Sequence, residues 1–338
     1  MSINTSSASM DKPEPLIRVA DSPFNDDDAD TILRSSDHID FFVHSAMLSV
    51  VSPVFRDLFD LPQVQSPRST SPTGYSLKRF VQMTEDRHSL DLFLRWCDTR
   101  AHIPVKMSIP DIATVIHLAD KFQMEGVAGR VGPHLYRFID SEPFSVYLLS
   151  AFHASLGDTE ETWGNDLARR AAKQLLSQQM PFQPPVHKFF KDMPAVILEP
   201  LYHYHRACGI SIRQTIERKN IEWFCEWPWL RECTCAHTQY HYLGETYVPV
   251  WWKAYLTRLG ELLAKQPSVT TILQLDFNDA LMTLITRQCQ CISTGPNPAK
   301  PVEVLHEVKN FTVGLLDMTE KAIKEVMLDF SKAKAATT

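Results

Sequence analysis

A change of hydrophobic period within residues 30–61 constrains this chain more than any other feature. The stretch DTILRSSDHIDFFVHSAMLSVVSPVFRDLFDL opens on two runs rich in β-branched and aromatic residues, Thr31–Arg34 and Ile39–Val43. Ser35-Ser36-Asp37-His38 between them is a turn-forming cluster, so the pair predicts a β-hairpin. The period then shifts from two to 3.6. Leu48, Val51, Ser52, Phe55 and Phe59 fall on one face of a helix. Pro53 interrupts that face, yet Ser52-Pro53 is a good N-cap and first-turn pair. The spacing predicts two short helices, 45–51 and 53–60, packed as a helical hairpin behind the strands.

Around this unit the chain reads as follows. Residues 1–22 are Ser-, Asp- and Pro-rich and are expected to be disordered. The acidic run from Asp26 to Asp30 spells DDxxD, but it leads into a strand and no second acidic motif answers it, so it reads as a solvated loop. Residues 62–76 hold three prolines and read as a mobile surface loop, with Ser66-Pro67 and Ser71-Pro72 as candidate kinase sites. Phe80–Met83 is the next strand. Asp86 caps a helix carrying Leu90, Phe93, Leu94 and Cys97, and Ser108 to Asp111 resembles a capping box.

These residues, taken together, carry a resemblance. Asp30 opening a hydrophobic strand, Phe41 or Phe42 with His44, and the ladder Leu48, Ser52, Phe55 and Phe59 resemble the signature of the BTB/POZ family. The wording around it is similar to the branch of that family expanded in fungi, and Ala119-Asp120-Lys121-Phe122 resembles the family's later helix end. The resemblance covers residue 24 to about residue 140. It implies an α+β fold, a small sheet with helical hairpins, and a protein–protein interaction module: homo- or hetero-association, an adaptor of a cullin-type ubiquitin ligase, or a scaffold. It also treats His44 as a core histidine. Three departures narrow this. Residues 1–29 lack a helical period, so strand-swapped dimerisation is not expected. Ser45 follows His44 where the family commonly has Lys or Arg, so the charged pocket of corepressor-binding members is not expected. No hydrophobic-x-Glu motif of the cullin-binding members follows the third helix.

The organisation expected is a disordered tail over 1–22, a BTB/POZ domain over 23–140 with its loop at 62–76, and an α-helical domain over 141–335. In that second domain Phe144, Tyr147, Leu148 and Ala151 mark one helix, and Trp163, Leu167, Ala171 and Leu175 another. Ile197, Leu201, Tyr204 and Cys208 face inward on a longer one. The bulky segment 223–229 interrupts the pattern, and helices resume over 251–265 and 269–287. The last helix, about 302–334, places Val304, Val308, Phe311, Leu315, Met318 and Ala322 at coiled-coil-like spacing. An intramolecular helix packed on the same bundle is the preferred reading of it.

Chemistry is concentrated in cysteines. Cys225, Cys233-Thr-Cys235-Ala-His237 and Cys289-Gln-Cys291 make two CxC pairs with spare ligands. Cys233, Cys235, Cys289 and Cys291, with Cys225 or His237 as alternatives, have the donor set of a tetrahedral structural zinc site. The competing reading is a cluster of core thiols. His203 and His205 stand two apart on a helix, about 200° around it, and do not share a metal. No GxSxG, P-loop, GxGxxG or HExxH is present, so no enzyme is expected. With seven cysteines and no secretion signal, the chain is expected in the cytosol or nucleus. A net charge of −6 and no basic interleaving among the tryptophans argue against nucleic acid, and no apolar run of ~20 residues argues against a membrane span.

Overall fold

Ser35 turns the first hairpin. Its hydroxyl accepts from Ile39 N at 2.9 Å, its carbonyl accepts from His38 N at 3.1 Å, and His38 takes up the left-handed backbone (φ 65°) that a four-residue turn needs. The computed structural model describes residues 16–62, 78–98, 101–104, 106–156, 163–182, 193–225, 240–243, 246–274, 281–283, 285, 287 and 301–330. The chain divides into two compact units, Met1–Leu135 and Tyr136–Thr338.

In the first unit the hairpin is β2 (Thr31–Arg34) paired antiparallel with β3 (Ile39–Val43). A short β1 (Arg18–Val19) runs parallel to β3, and β4 (Arg79–Gln82) runs parallel to β2, giving the order β1-β3-β2-β4. Residues 16–22, expected within a disordered tail over 1–22, are described here and hold β1. Arg18 N and Ala20 N donate to His38 O and Asp40 O, and Phe24 is buried beside Phe41, so apolar residues downstream draw this segment onto the sheet.

The helical hairpin follows as α1 (Ser45–Val51) and α2 (Pro53–Asp60). The first unit is completed by α3 (Arg87–Cys97), α4 (Ile109–Lys121), α5 (Glu125–Val131) and a 3-10 turn over Gly132–Phe138. Asp86 caps α3 by accepting from Ser89 N at 2.8 Å, and Ser108 with Asp111 forms a full capping box on α4. The core is an aromatic stack: Phe55 lies 4.5 Å from Phe122 between ring centroids, Phe93 lies 5.5 Å from Phe122, and Phe59 lies 5.7 Å from Phe55. β3 is buried along its whole length, so its one carboxylate needs a partner. Arg34 supplies it bidentately, at 2.6 and 2.9 Å from Asp40.

The second unit is mostly helical. It begins with α6 (Pro143–Leu156) and α7 (Trp163–Leu175), which pack on each other where Gly164 has no side chain; a Cβ there would sit 2.7 Å from Ser150 O. A 3-10 turn (Ala195–Ile197) leads into α8 (Leu198–Cys225), with Ile197, Leu201, Tyr204 and Cys208 all buried. α8 therefore continues through Trp223 to Cys225, past the start of the interruption expected over 223–229. One piece of this unit was not foreseen: β5 (Tyr240–Leu243) and β6 (Thr246–Pro249) pair antiparallel. Then come α9 (Val250–Lys265), α10 (Val269–Gln274) and α11 (Pro301–Lys324). The apolar face of α11 is turned inward, with Val304, Val308, Phe311, Leu315 and Ala322 buried and Phe311 against Trp252 of α9 at 5.5 Å. α11 ends earlier than the apolar spacing predicts, because Leu328 and Phe330 are buried from an extended segment rather than from a helix face.

Candidate interaction surface

The six signature residues occupy distinct places. Asp30, just before β2, accepts from Ser45 N at 2.7 Å and from Ser45 Oγ at 2.5 Å. His44 is the N-cap of α1 but makes no side-chain cap bond, so Asp30 supplies the cap from across the hairpin. Burial works to raise the Asp30 pKa, but the hydrogen bonds from Ser45 outweigh it and hold the carboxyl below its ordinary value. Where a charged pocket would need an unengaged carboxylate, this one is occupied by its neighbour's hydroxyl and amide. His44 is partly exposed and lies 3.8 Å from Asp26 Oδ2. The expectation of a core histidine is corrected here: α1 starts at the next residue, which leaves the His44 ring at the rim.

Leu48, Ser52, Phe55 and Phe59 are all buried. Ser52 does two jobs at once. Its Oγ accepts from Phe55 N at 3.0 Å, capping α2, and donates to Phe122 O at 2.6 Å, closing the end of α4. The signature ladder is thus the inside of the module. Its outside is the opposite face of the same hairpin, where Val50 is 85% exposed, Val51 36% and Leu61 61%. Val51 was expected to face inward with Leu48. Ser52 is in extended backbone (φ −138°, ψ 117°), so the helical phase does not carry across from α1 to α2. Counting one apolar face from Leu48 to Phe59 carries the period across the break that Ser52-Pro53 marks, and this places Val51 on the wrong side. An apolar residue directly before Ser-Pro could have signalled it.

Two charged features lie on the same unit. In the acidic loop Asp26 Oδ1 accepts from Asp28 N, and the Lys78 ammonium donates to Asp27 O at 2.5 Å and Ala29 O at 2.6 Å. The cation held by the DDxxD loop is the chain's own lysine. An open cleft is lined by Asp21, Asp37, Asp86, Arg87, His88, Asp91 and Arg95. Arg95 is bound bidentately to Asp91 at 2.7 and 3.0 Å, Arg87 pairs with Asp21 at 2.5 Å, and Arg87 N donates to Asp37 at 2.8 Å. These pairs tie the segment after β1 and the hairpin turn to α3.

For the cysteines, Cys233, Cys235, His237, Cys289 and Cys291 lie outside the described residues, as do Ser66 and Ser71; Cys225 is the last residue of α8. Among the described residues no group of three or more His, Cys, Asp or Glu stands close enough to hold a metal. The two described thiols, Cys97 and Cys208, are buried, and burial pushes each up to about 12, which keeps them protonated and unreactive. In α8, His203 pairs with Glu199 at 3.4 Å on the exposed side, while His205 is buried. Among the described residues no helix is long and apolar enough to cross a membrane.

A four-stranded sheet flanked by capped helices, whose signature polar atoms are spent on the fold and whose α1 exposes Val50 and Val51, has the make-up of a binding module. Residues 21–137 match the family model described as BTB/POZ domain, and this segment of the chain is a BTB/POZ domain, a protein–protein interaction module followed by a mostly helical remainder. No curated protein matches the chain.

Proposed function

We propose that the chain is a non-enzymatic adaptor or scaffold, in which the BTB/POZ domain takes a protein partner on the outer face of α1 and the helical unit carries a second binding surface. The observation that supports this most is Val50, which is 85% exposed on a helix whose inner face is anchored by Asp30 and Leu48. Burying an apolar side chain of this kind in an interface contributes about 1–2 kcal/mol. A protein partner, including a cullin or a second copy of the chain, fits such a face. Nucleic acid does not, given a net charge of −6. The cytosol or nucleus is the setting this reading assumes.

The test is a surface change that leaves the ladder alone. Val50→Glu with Val51→Glu should keep the melting temperature of the wild type and lose the protein partners that co-purify with it. Undiminished recovery of those partners by the folded double variant would overturn the reading.

A second reading, a zinc-bearing nuclear regulator, rests on the donor set of Cys233, Cys235, Cys289 and Cys291. Metal analysis of the untagged chain tests it directly. About one zinc per chain, lost on Cys233→Ser or Cys289→Ser, supports it, and metal-free protein removes it.

A further inference from the structure

The chain leaves α7 at Leu175 and returns along α8 through the segment Leu176–Phe182. That segment is tied to α8 by few groups. His205 Nε2 lies 3.1 Å from Gln178 O, and because a carbonyl only accepts, Nε2 carries the proton and Nδ1 holds a bare lone pair. His205 is fully buried, and among the described residues its Nδ1 has no hydrogen-bond partner. The Phe182 ring covers the site: it lies 5.8 Å from the imidazole, 5.9 Å from Tyr202 and 5.4 Å from Phe144 of α6.

We propose that His205 makes this tether acid-labile, so that protonation releases Leu176–Phe182 from α8. The neutral ring satisfies the site with one donor and one carbonyl. The imidazolium would carry a second N–H, at Nδ1, where the neutral ring has no hydrogen-bond partner among the described residues. The described groups that meet the ring or its cover carry no charge. Gln178 and Phe182 from the tether and Phe144 from α6 are uncharged. On α8 itself, burial raises the pKa values of Tyr204 and Cys208, so both stay neutral. The ionisable groups nearest along α8, His203 with Glu199, and Arg206, lie on its exposed side.

The sign follows from linkage. Burial, partly offset by the Gln178 carbonyl, lowers the His205 pKa in the closed state. The released ring binds a proton at its ordinary value of about 6.5, so acid favours release. Net proton uptake on opening makes the opening equilibrium grow as the pH falls through about 6.5, with about tenfold between pH 7.5 and 5.5 as its upper bound.

Hydrogen exchange on the full chain, corrected for the intrinsic pH dependence of exchange, reads this segment by segment. The backbone amides of 176–180 and 182 should lose protection over that range, by no more than about tenfold, while α6 and α7 keep theirs. His205→Gln retains an N–H donor and does not titrate, so its tether should show no such loss. Equal loss in wild type and variant, or no loss in the wild type, would overturn the proposal. If the variant does not fold, the imidazole titration of His205 in the wild type decides by NMR: a pKa below 6.5 supports the proposal, and one at or above 6.5 overturns it.

Discussion

The two units are held together by different means. In the BTB/POZ domain single polar atoms fix the joints between elements: Asp30 on the start of α1, Ser52 between α2 and α4, Ser35 in the hairpin turn, and Arg34 on Asp40. In the helical unit, beside polar ties such as Tyr147 Oη to Ile197 O at 3.0 Å, close approaches of backbone set joints between helices. A Cβ on Gly209 of α8 would sit 2.5 Å from Ala264 O of α9. Polar joints demand particular residue types at particular spacings. Backbone contacts demand only that one position be small, and many positions satisfy that by chance.

The largest effects should come from the two cores. Phe55→Ala empties the centre of the aromatic stack and should cost the BTB/POZ domain about 3–5 kcal/mol, measured by chemical denaturation. Gly209→Val should cost the helical unit about 3 kcal/mol, because the atoms it meets are backbone and α8 and α9 must part. The matched control is Gly126→Ala in α5, where nothing lies within 4 Å of the new Cβ. That change should stabilise by about 0.5–1 kcal/mol. If Gly209→Val proves as mild as Gly126→Ala, the contrast drawn between the units fails.

Next in size is Ser52→Ala. It removes the α2 cap and leaves the Phe122 carbonyl without this buried donor, so a loss of about 1–3 kcal/mol is expected. Ser52→Thr keeps the hydroxyl and should recover part of that loss in the same denaturation assay.

The same contrast explains what could be read in advance. The first unit was legible because its joints are polar and local in pattern: Ser52-Pro53 gives a helix start, Asp86 and Ser108 give two more, and the turn at Ser35–His38 gives register. What escaped there was phase. The Ser52-Pro53 pair marks a break, yet Val51 belongs to the apolar face only if the period is counted unbroken through it; with Ser52 extended, Val51 lies outside that face. In the second unit helices were legible from period alone, but β5 and β6 were not. Their aromatic and β-branched residues flank Gly244-Glu245, a turn signal that was outweighed by helix on both sides. Burial of His205 against exposure of His203 follows the inward face of Leu201, Tyr204 and Cys208, on which 205 falls and 203 does not, but the Phe182 ring that covers His205 is not visible in the period.

The smallest effect separates a structural from a recognition role for Asp30. Its pKa is lower in the folded chain than in the unfolded one, where it is about 3.9. A group shifted down contributes stability that is present above the unfolded value and is lost as the pH falls through the folded one. Asp30 lies at the surface, so solvent screens the interaction and the contribution should be that of a helix cap, about 0.5–1 kcal/mol. Asp30→Asn keeps an acceptor for Ser45 but not the charge. Its stability at pH 7 should fall by a few tenths of a kcal/mol, and the difference from wild type should shrink as the pH falls below about 3.9 and through the folded-state value. Partner recovery should be unchanged, because the carboxylate is engaged with Ser45 and the exposed apolar face of α1 is left as it was. Loss of partners at full stability would instead make Asp30 a contact residue and return the charged pocket to the mechanism.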